Sequence, residues 1–204
     1  MPWKQLGAVA LQLVLGGCGG AEEPVEQQAL TTPCGREQAL GALVTNGDFA
    51  TGPACGCGGA ITPFVTLLAG DTRLSGWSIL GNGVDHLGTY WTPASGPGSI
   101  DLNAGGPGGL TQTLATEAGR GYQLSFALAG NPACGDAMKW VQVSIGADWY
   151  SLGFDTTGRS LSNMGWNTIG ITFGATSSST ALTFQSLTAG ACGPALDNVS
   201  VTAL

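Results

Sequence analysis

Apolar and polar residues alternate along most of the second half of the chain. Tyr122-Gln-Leu124-Ser-Phe126-Ala-Leu128 sets a large apolar side chain at every other position, as do Val141-Gln-Val143-Ser-Ile145 and Ile169-Gly-Ile171-Thr-Phe173. Leu182-Thr-Phe184 and Val199-Ser-Val201 repeat the pattern. A period of two rests one face of a strand on a core and turns the other toward water. Turn-forming clusters separate the runs: Gly81-Asn82-Gly83, Gly96-Pro97-Gly98, Gly105-Gly106-Pro107-Gly108-Gly109, Gly130-Asn131-Pro132 and Ser162-Asn163. The pattern predicts strands near 43–49, 62–67, 76–80, 98–102, 110–115, 121–129, 139–146, 149–154, 166–173, 180–187 and 195–203. Many short strands without an amphipathic helix predict an all-β fold, an antiparallel β-sandwich or jelly roll. No internal repeat of fixed period is present, and no Gly-rich loop leads from a strand into a helix, so none reads as a phosphate cradle.

The N-terminal part follows other rules. Residues 5–17 are an uncharged apolar stretch of thirteen after a short n-region holding Lys4. A transmembrane helix needs ~20 apolar residues, whereas a signal h-region is this short. The stretch ends in Leu15-Gly16-Gly17-Cys18, which resembles a bacterial lipobox. Residues 1–17 are therefore read as a lipoprotein signal peptide, and Cys18 as the lipidated residue. The membrane is expected as a partner through that lipid anchor only, with the rest of the protein extracytoplasmic. Gly19 after the Cys matches an outer-membrane or cell-surface address in a Gram-negative cell. Residues 18–41 are rich in Gly, Glu, Gln, Thr and Pro and read as a flexible linker, in which 35–42 allow a short helix. The folded domain is expected over 42–204.

Composition narrows the partners. Charged residues are 9% of the chain, Gly numbers 35 of 204, and net charge is −7. Six Lys and Arg in all exclude a clustered basic surface, and with it nucleic acid. Six Cys fit an exported protein. Cys134 and Cys192 each lie in a Gly- or Pro-rich loop beside a core strand and are expected to pair. Cys34 is left to pair with Cys55 or Cys57. A zinc site at Cys55-Gly-Cys57 lacks a second Cys/His pair, since His86 is the only His.

From Asn46 to Val201 the chain resembles the choice-of-anchor C family, related to the plant cell-wall proteins grouped as domain of unknown function 642. The resemblance rests on ordered matches: Asn46-Gly-Asp-Phe49, Gly76-Trp77, Val84-Asp85, Tyr90-Trp91, Gly98-Ser-Ile-Asp-Leu102 and Pro107-Gly-Gly-Leu-Thr-Gln112. It continues through Tyr122-Gln-Leu-Ser-Phe126, Leu128-Ala-Gly-Asn-Pro132, Phe154-Asp-Thr-Thr-Gly158, Gly165-Trp166 and Cys192-Gly-Pro-Ala-Leu-Asp-Asn-Val199. It implies a galactose-binding-like jelly roll, secreted or surface-attached, whose plant relatives are associated with cell-wall polysaccharide. It also implies a structural calcium, held by an acidic residue near the first strand and an Asp on the last. Asp197 matches the second. At the first, Ala50 stands where the family usually has an acid, and Asp48 lies two residues earlier. The plainer role for Asp197-Asn198 is to cap the turn into the last strand.

Sugar recognition uses an aromatic face for the C–H side of a pyranose, with polar side chains bonding its hydroxyls. Trp91 with Tyr90, and Trp149 with Tyr150, sit beside polar turn residues and supply the aromatic faces. Asp85, His86 and Asn131 supply the polar contacts, while Trp77, Trp140 and Trp166 are assigned to the core. The alternative within each aromatic pair is one core and one rim ring. Catalysis has little support: one His, no Gly-x-Ser-x-Gly elbow, and only scattered Asp85, Asp101, Asp136 and Asp155 as paired-carboxylate candidates. The sequence thus points to a non-catalytic module that binds cell-wall or matrix polysaccharide. The alternative is a protein-binding adhesion or structural module.

Overall fold

The computed structural model describes residues 30–31, 37–38, 42–56 and 61–204. The signal read over 1–17, Cys18, Cys34 and Cys57 lie outside the described residues. Strands β1 (Leu30–Thr31) and β2 (Glu37–Gln38) form a two-residue antiparallel ladder, and β2 falls within 35–42, where the sequence allowed a short helix.

The chain then runs through β3 (Phe64–Leu67), β4 (Ser78–Gly81), β5 (Val84–Leu87), β6 (Ser99–Asp101), β7 (Gly108–Ala115) and β8 (Gly121–Gly130). It continues through β9 (Met138–Ile145), β10 (Asp148–Asp155), β11 (Asn167–Gly174), β12 (Ser179–Ser186) and β13 (Pro194–Ala203). They make two antiparallel sheets, one in the order β10-β9-β12-β7-β4 and one in the order β11-β8-β13-β6-β5-β3. The fold is an all-β antiparallel sandwich of the jelly-roll kind, as the period-two pattern predicts.

The inward residues of both sheets meet in one core. Phe126 of β8 packs edge-on against Phe184 of the facing sheet, with centroids 5.1 Å apart. Trp77 continues this line to Phe49, with centroids 6.3 Å and 5.7 Å apart. Burying such rings is worth roughly 1.5–3 kcal/mol each, and the Phe126–Phe184 contact joins the two layers.

Two strand assignments change. The segment 43–49 is bends and turns rather than a strand. Asn46 and Phe49 take left-handed backbone, at φ 52° and 48°. Trp77 donates its indole N–H to the Asn46 carbonyl at 3.1 Å. The Val199 amide donates to the Gly47 carbonyl at 2.8 Å, and a Cβ at Gly47 would fall 1.8 Å from the Val199 oxygen. The Asn-Gly-Asp-Phe motif is thus a tight turn docked on the last strand, which bulges between Asp197 and Ser200. Conversely, Val84–Leu87 is a strand the alternation does not reveal, because its central polar residues are held inside by partners. Gln112 pins the start of the domain to β7: it accepts from the Thr45 amide at 2.7 Å and donates to the Thr45 and Gly76 carbonyls. Residues 42–44 line one groove together with Val199–Ala203 of β13.

Candidate functional site

The structure sorts the predicted contact residues into buried and accessible. His86 is fully buried. Its Nδ1 accepts from the Ala54 amide at 3.0 Å, and Nε2 lies 2.8 Å from the Phe49 carbonyl, so the neutral ring with the proton on Nε2 satisfies both. Burial lowers its pKa, against the Phe49 carbonyl, which raises it. The ring lies where a Cβ of Gly52 would be, and Cys55 Sγ is 3.6 Å from Nε2. His86 therefore latches the 49–55 loop and faces no ligand.

Trp91 is buried, donating its indole N–H to Ser99 Oγ at 2.7 Å. Tyr90 is half-buried, between Trp91 and Phe64. This is the one-core, one-rim alternative. Asp85 is half-buried and accepts from Thr66 Oγ1 at 2.6 Å, and burial pushes its carboxyl up. Asn131 is buried, and its Nδ2 donates to Asp101 Oδ2 at 2.8 Å. Asp101 Oδ1 accepts from the Asn103 and Gly193 amides, both at 3.0 Å. Burial nonetheless raises the Asp101 pKa to about 7. Asn131 is thus a structural strut, and Asp101 is too enclosed for glycosidase chemistry. Asp85, His86, Tyr90, Trp91 and Asn131 form no open site.

Beside that node Cys134 and Cys192 form the expected disulfide, with Cα atoms 5.5 Å apart. The buried Lys139 donates its ammonium to the Cys134 carbonyl at 2.7 Å.

Asp48 and Asp197 lie close enough that Asp48 raises the Asp197 pKa, although burial is the main cause of its rise to about 7. Asp197 Oδ2 accepts from the Ala94 and Ser95 amides at 2.9 Å and 3.1 Å, and Oδ1 from the Asn198 amide. Asp48 Oδ1 takes the Ala50 amide at 3.2 Å. Calcium asks for six to eight oxygens, and no group of three or more acid, His or Cys side chains gathers among the described residues. This donor set fits a capped loop better than a calcium cage.

Trp149 is the predicted contact residue that stands in the open, 66% exposed. It sits on β10, the edge of the five-stranded sheet. Trp140, assigned by the sequence to the core, is instead 44% exposed on the adjacent β9. The signal was present: Val141, Val143 and Ile145 alternate inward, so Trp140, out of phase with them, faces outward. Trp166 is only half-buried, donating its indole N–H to the Thr92 carbonyl at 3.0 Å. Of the three tryptophans assigned to the core, Trp77 is buried there.

Both exposed rings belong to one surface. Trp149 is paired with Ser144, and Trp140 with Gly153, in the β9–β10 ladder. The Trp140 ring edge lies 3.0 Å from where a Gly153 Cβ would be, so the indole rests on bare backbone. Between the rings lie Ser144, Gln142 and Ser151, continued on the next strands by Thr183, Gln185 and Thr111. Thr111 and Thr183 hydroxyls bond each other at 2.8 Å, and Gln185 Nε2 donates to the Gly108 carbonyl at 2.8 Å. No Lys or Arg faces outward from this sheet among its strands, and Asp155 lies opposite Met138 at its end. The result is an uncharged surface of hydroxyls and amides between and beside two indoles.

A family model described as "Protein of unknown function (DUF642)" matches residues 42–202. The chain belongs to the DUF642 family. Halomucin of Haloquadratum walsbyi is 34% identical over 139 residues, which is 67% of this chain and 1% of Halomucin. The DUF642 domain here thus spans a very small part of that relative's length. Among solved structures, a family 35 carbohydrate-binding module from Clostridium thermocellum aligns at 15% identity and TM-score 0.48, over 70% of this chain and 100% of that one. TmCBM61 in complex with beta-1,4-galactotriose aligns at 12% identity and TM-score 0.47, over 80% and 99% of the two chains.

Proposed function

We propose that this DUF642 protein is an exported, surface-attached module that binds a glycan and performs no chemistry on it. The observation that carries the reading is Trp149: an indole two-thirds exposed beside an uncharged row of hydroxyl and amide side chains. A ring that gains so little from the core presents its face to something outside, and hydroxyls with amides suit the polar edge of a sugar. Several of these groups are held by bonds to one another, which lowers the ordering cost of binding.

Export is supported by the lipobox-like Leu15-Gly-Gly-Cys18 and by the disulfide, a bond of oxidising compartments. In this reading Cys18 carries the lipid that holds the module at the cell surface, and a Cys18→Ala protein leaves the membrane fraction.

Affinity electrophoresis through native gels holding different polysaccharides tests the binding. Retardation by a polymer, lost in Trp149→Ala, is the expected result. Unretarded migration of folded protein across a broad panel would favour the second reading, a protein-binding module. That reading has its own observation: Phe64 on the edge strand β3, with Ile61 before it and Leu68 just after it, are 46–61% exposed.

A further inference from the structure

We infer that the β9–β10 face takes a linear, uncharged glycan chain along the strand direction, long enough to touch Trp149 and Trp140 together. This rests on the glycan-binding reading and names its ligand class.

The geometry comes from the register. Trp149 faces Ser144 across the ladder, and Trp140 lies four residues from Ser144 on the same strand and on the same face. With a rise of ~3.3 Å per residue and strands ~4.8 Å apart, the two Cα atoms are separated by roughly 14 Å. A single sugar ring cannot reach both indoles, whereas an oligosaccharide can. The line joining them runs mainly along β9 and β10, so a chain stacked on both lies lengthwise over Gln142, Ser144 and Ser151.

The charge argues for the class. The strip between the indoles holds no ionisable group, and the acids that flank it are Asp148 and Asp155 at the two ends of β10. Lys139, in the same strand as Trp140, is buried on the opposite face. Arg159 lies beyond the end of β10 near Asp155, but the strip itself presents no cation to an anionic chain, and the protein carries a net charge of −7.

The test is calorimetric titration of the purified protein with neutral cello-, xylo-, manno- and galacto-oligosaccharide ladders, from disaccharide to hexasaccharide. Polygalacturonate and alginate serve as acidic comparators. In the ladder that binds, affinity is expected to rise steeply once the oligomer spans both rings. Trp140→Ala and Trp149→Ala should each lower it by about tenfold or more, as loss of an aromatic anchor does. Ser151→Glu, an exposed change that leaves both rings in place, should lower it as well. Equal affinity for disaccharide and hexasaccharide, with the Trp149 dependence kept, overturns the spanning inference and leaves glycan binding standing. Preference for the acidic polymers overturns the uncharged class. Binding that neither tryptophan affects overturns the site. Absence of binding across neutral and acidic probes, in protein with an unchanged unfolding transition, overturns the glycan reading itself.

Discussion

Removing the Cys134–Cys192 bridge tests what holds the loop end of the sandwich together. The bond joins residues 58 apart, tying the loop after β8 to the loop before β13. In the chain-entropy account, closing a loop of that size in the unfolded ensemble is worth about 4 kcal/mol. The folded side changes little, because Asp101, Asn131, Asn103 and Gly193 hold the same two loops by hydrogen bonds, and Lys139 holds the Cys134 carbonyl. Cys134→Ala/Cys192→Ala should therefore fold to the same structure and lose roughly 4 kcal/mol in urea unfolding. At ~2–4 °C per kcal/mol for a chain of this size, Tm should drop by about 8–16 °C. Reductant should destabilise the wild-type protein by a similar amount and leave the double variant unmoved on account of this bond. A loss under about 1 kcal/mol would refute the reasoning, since the loops would then be as constrained without the bond as with it.

Three further outcomes are expected. Gly47→Ala places a Cβ on the Val199 carbonyl oxygen and should cost about 3 kcal/mol or more, read as a lowered urea midpoint. Asp101 and Asp197 titrate at about 7 when folded and near the ordinary carboxylate value when unfolded, so the folded state holds more protons between those values. Their contribution is full at low pH and lost as pH rises through about 7. His86, lowered by burial, acts the other way, losing stability as pH falls below its ordinary value. With two groups against one, unfolding free energy should drop by roughly 2 kcal/mol from about pH 5.5 to about pH 8; a rise would contradict the burial of these acids. Because Asp48 and Asp197 fit a capped loop, chelation with EDTA should move Tm by less than about 1 °C; a larger drop would reinstate a structural calcium.

Much of the sheet was legible where its strands have one wet face. In β9 and β12 the alternation maps directly onto burial, whereas 126–130 of β8 and 194–197 of β13 are buried on both faces. β5 was hidden because its polar residues are satisfied inside the protein. His86 reads as a surface base until the Phe49 carbonyl and the Ala54 amide, both distant in sequence, are brought to its ring. The 43–49 segment misled for the reverse reason: its apolar side chains suit a strand, but its contact with Val199 and its left-handed Asn46 and Phe49 are tertiary. The site was half legible. Trp149 stands out by its turn neighbours, and Trp140 by its phase, but their presence on one face follows only from the β9–β10 register, which is set by the turn between them.

The groove shared by residues 42–44 and the end of β13 bears on how such a domain travels between proteins. Where the two ends of a folded body lie side by side, the body can be set into a surface loop of another chain without stretching its host, and can be repeated along a chain like beads on short stems.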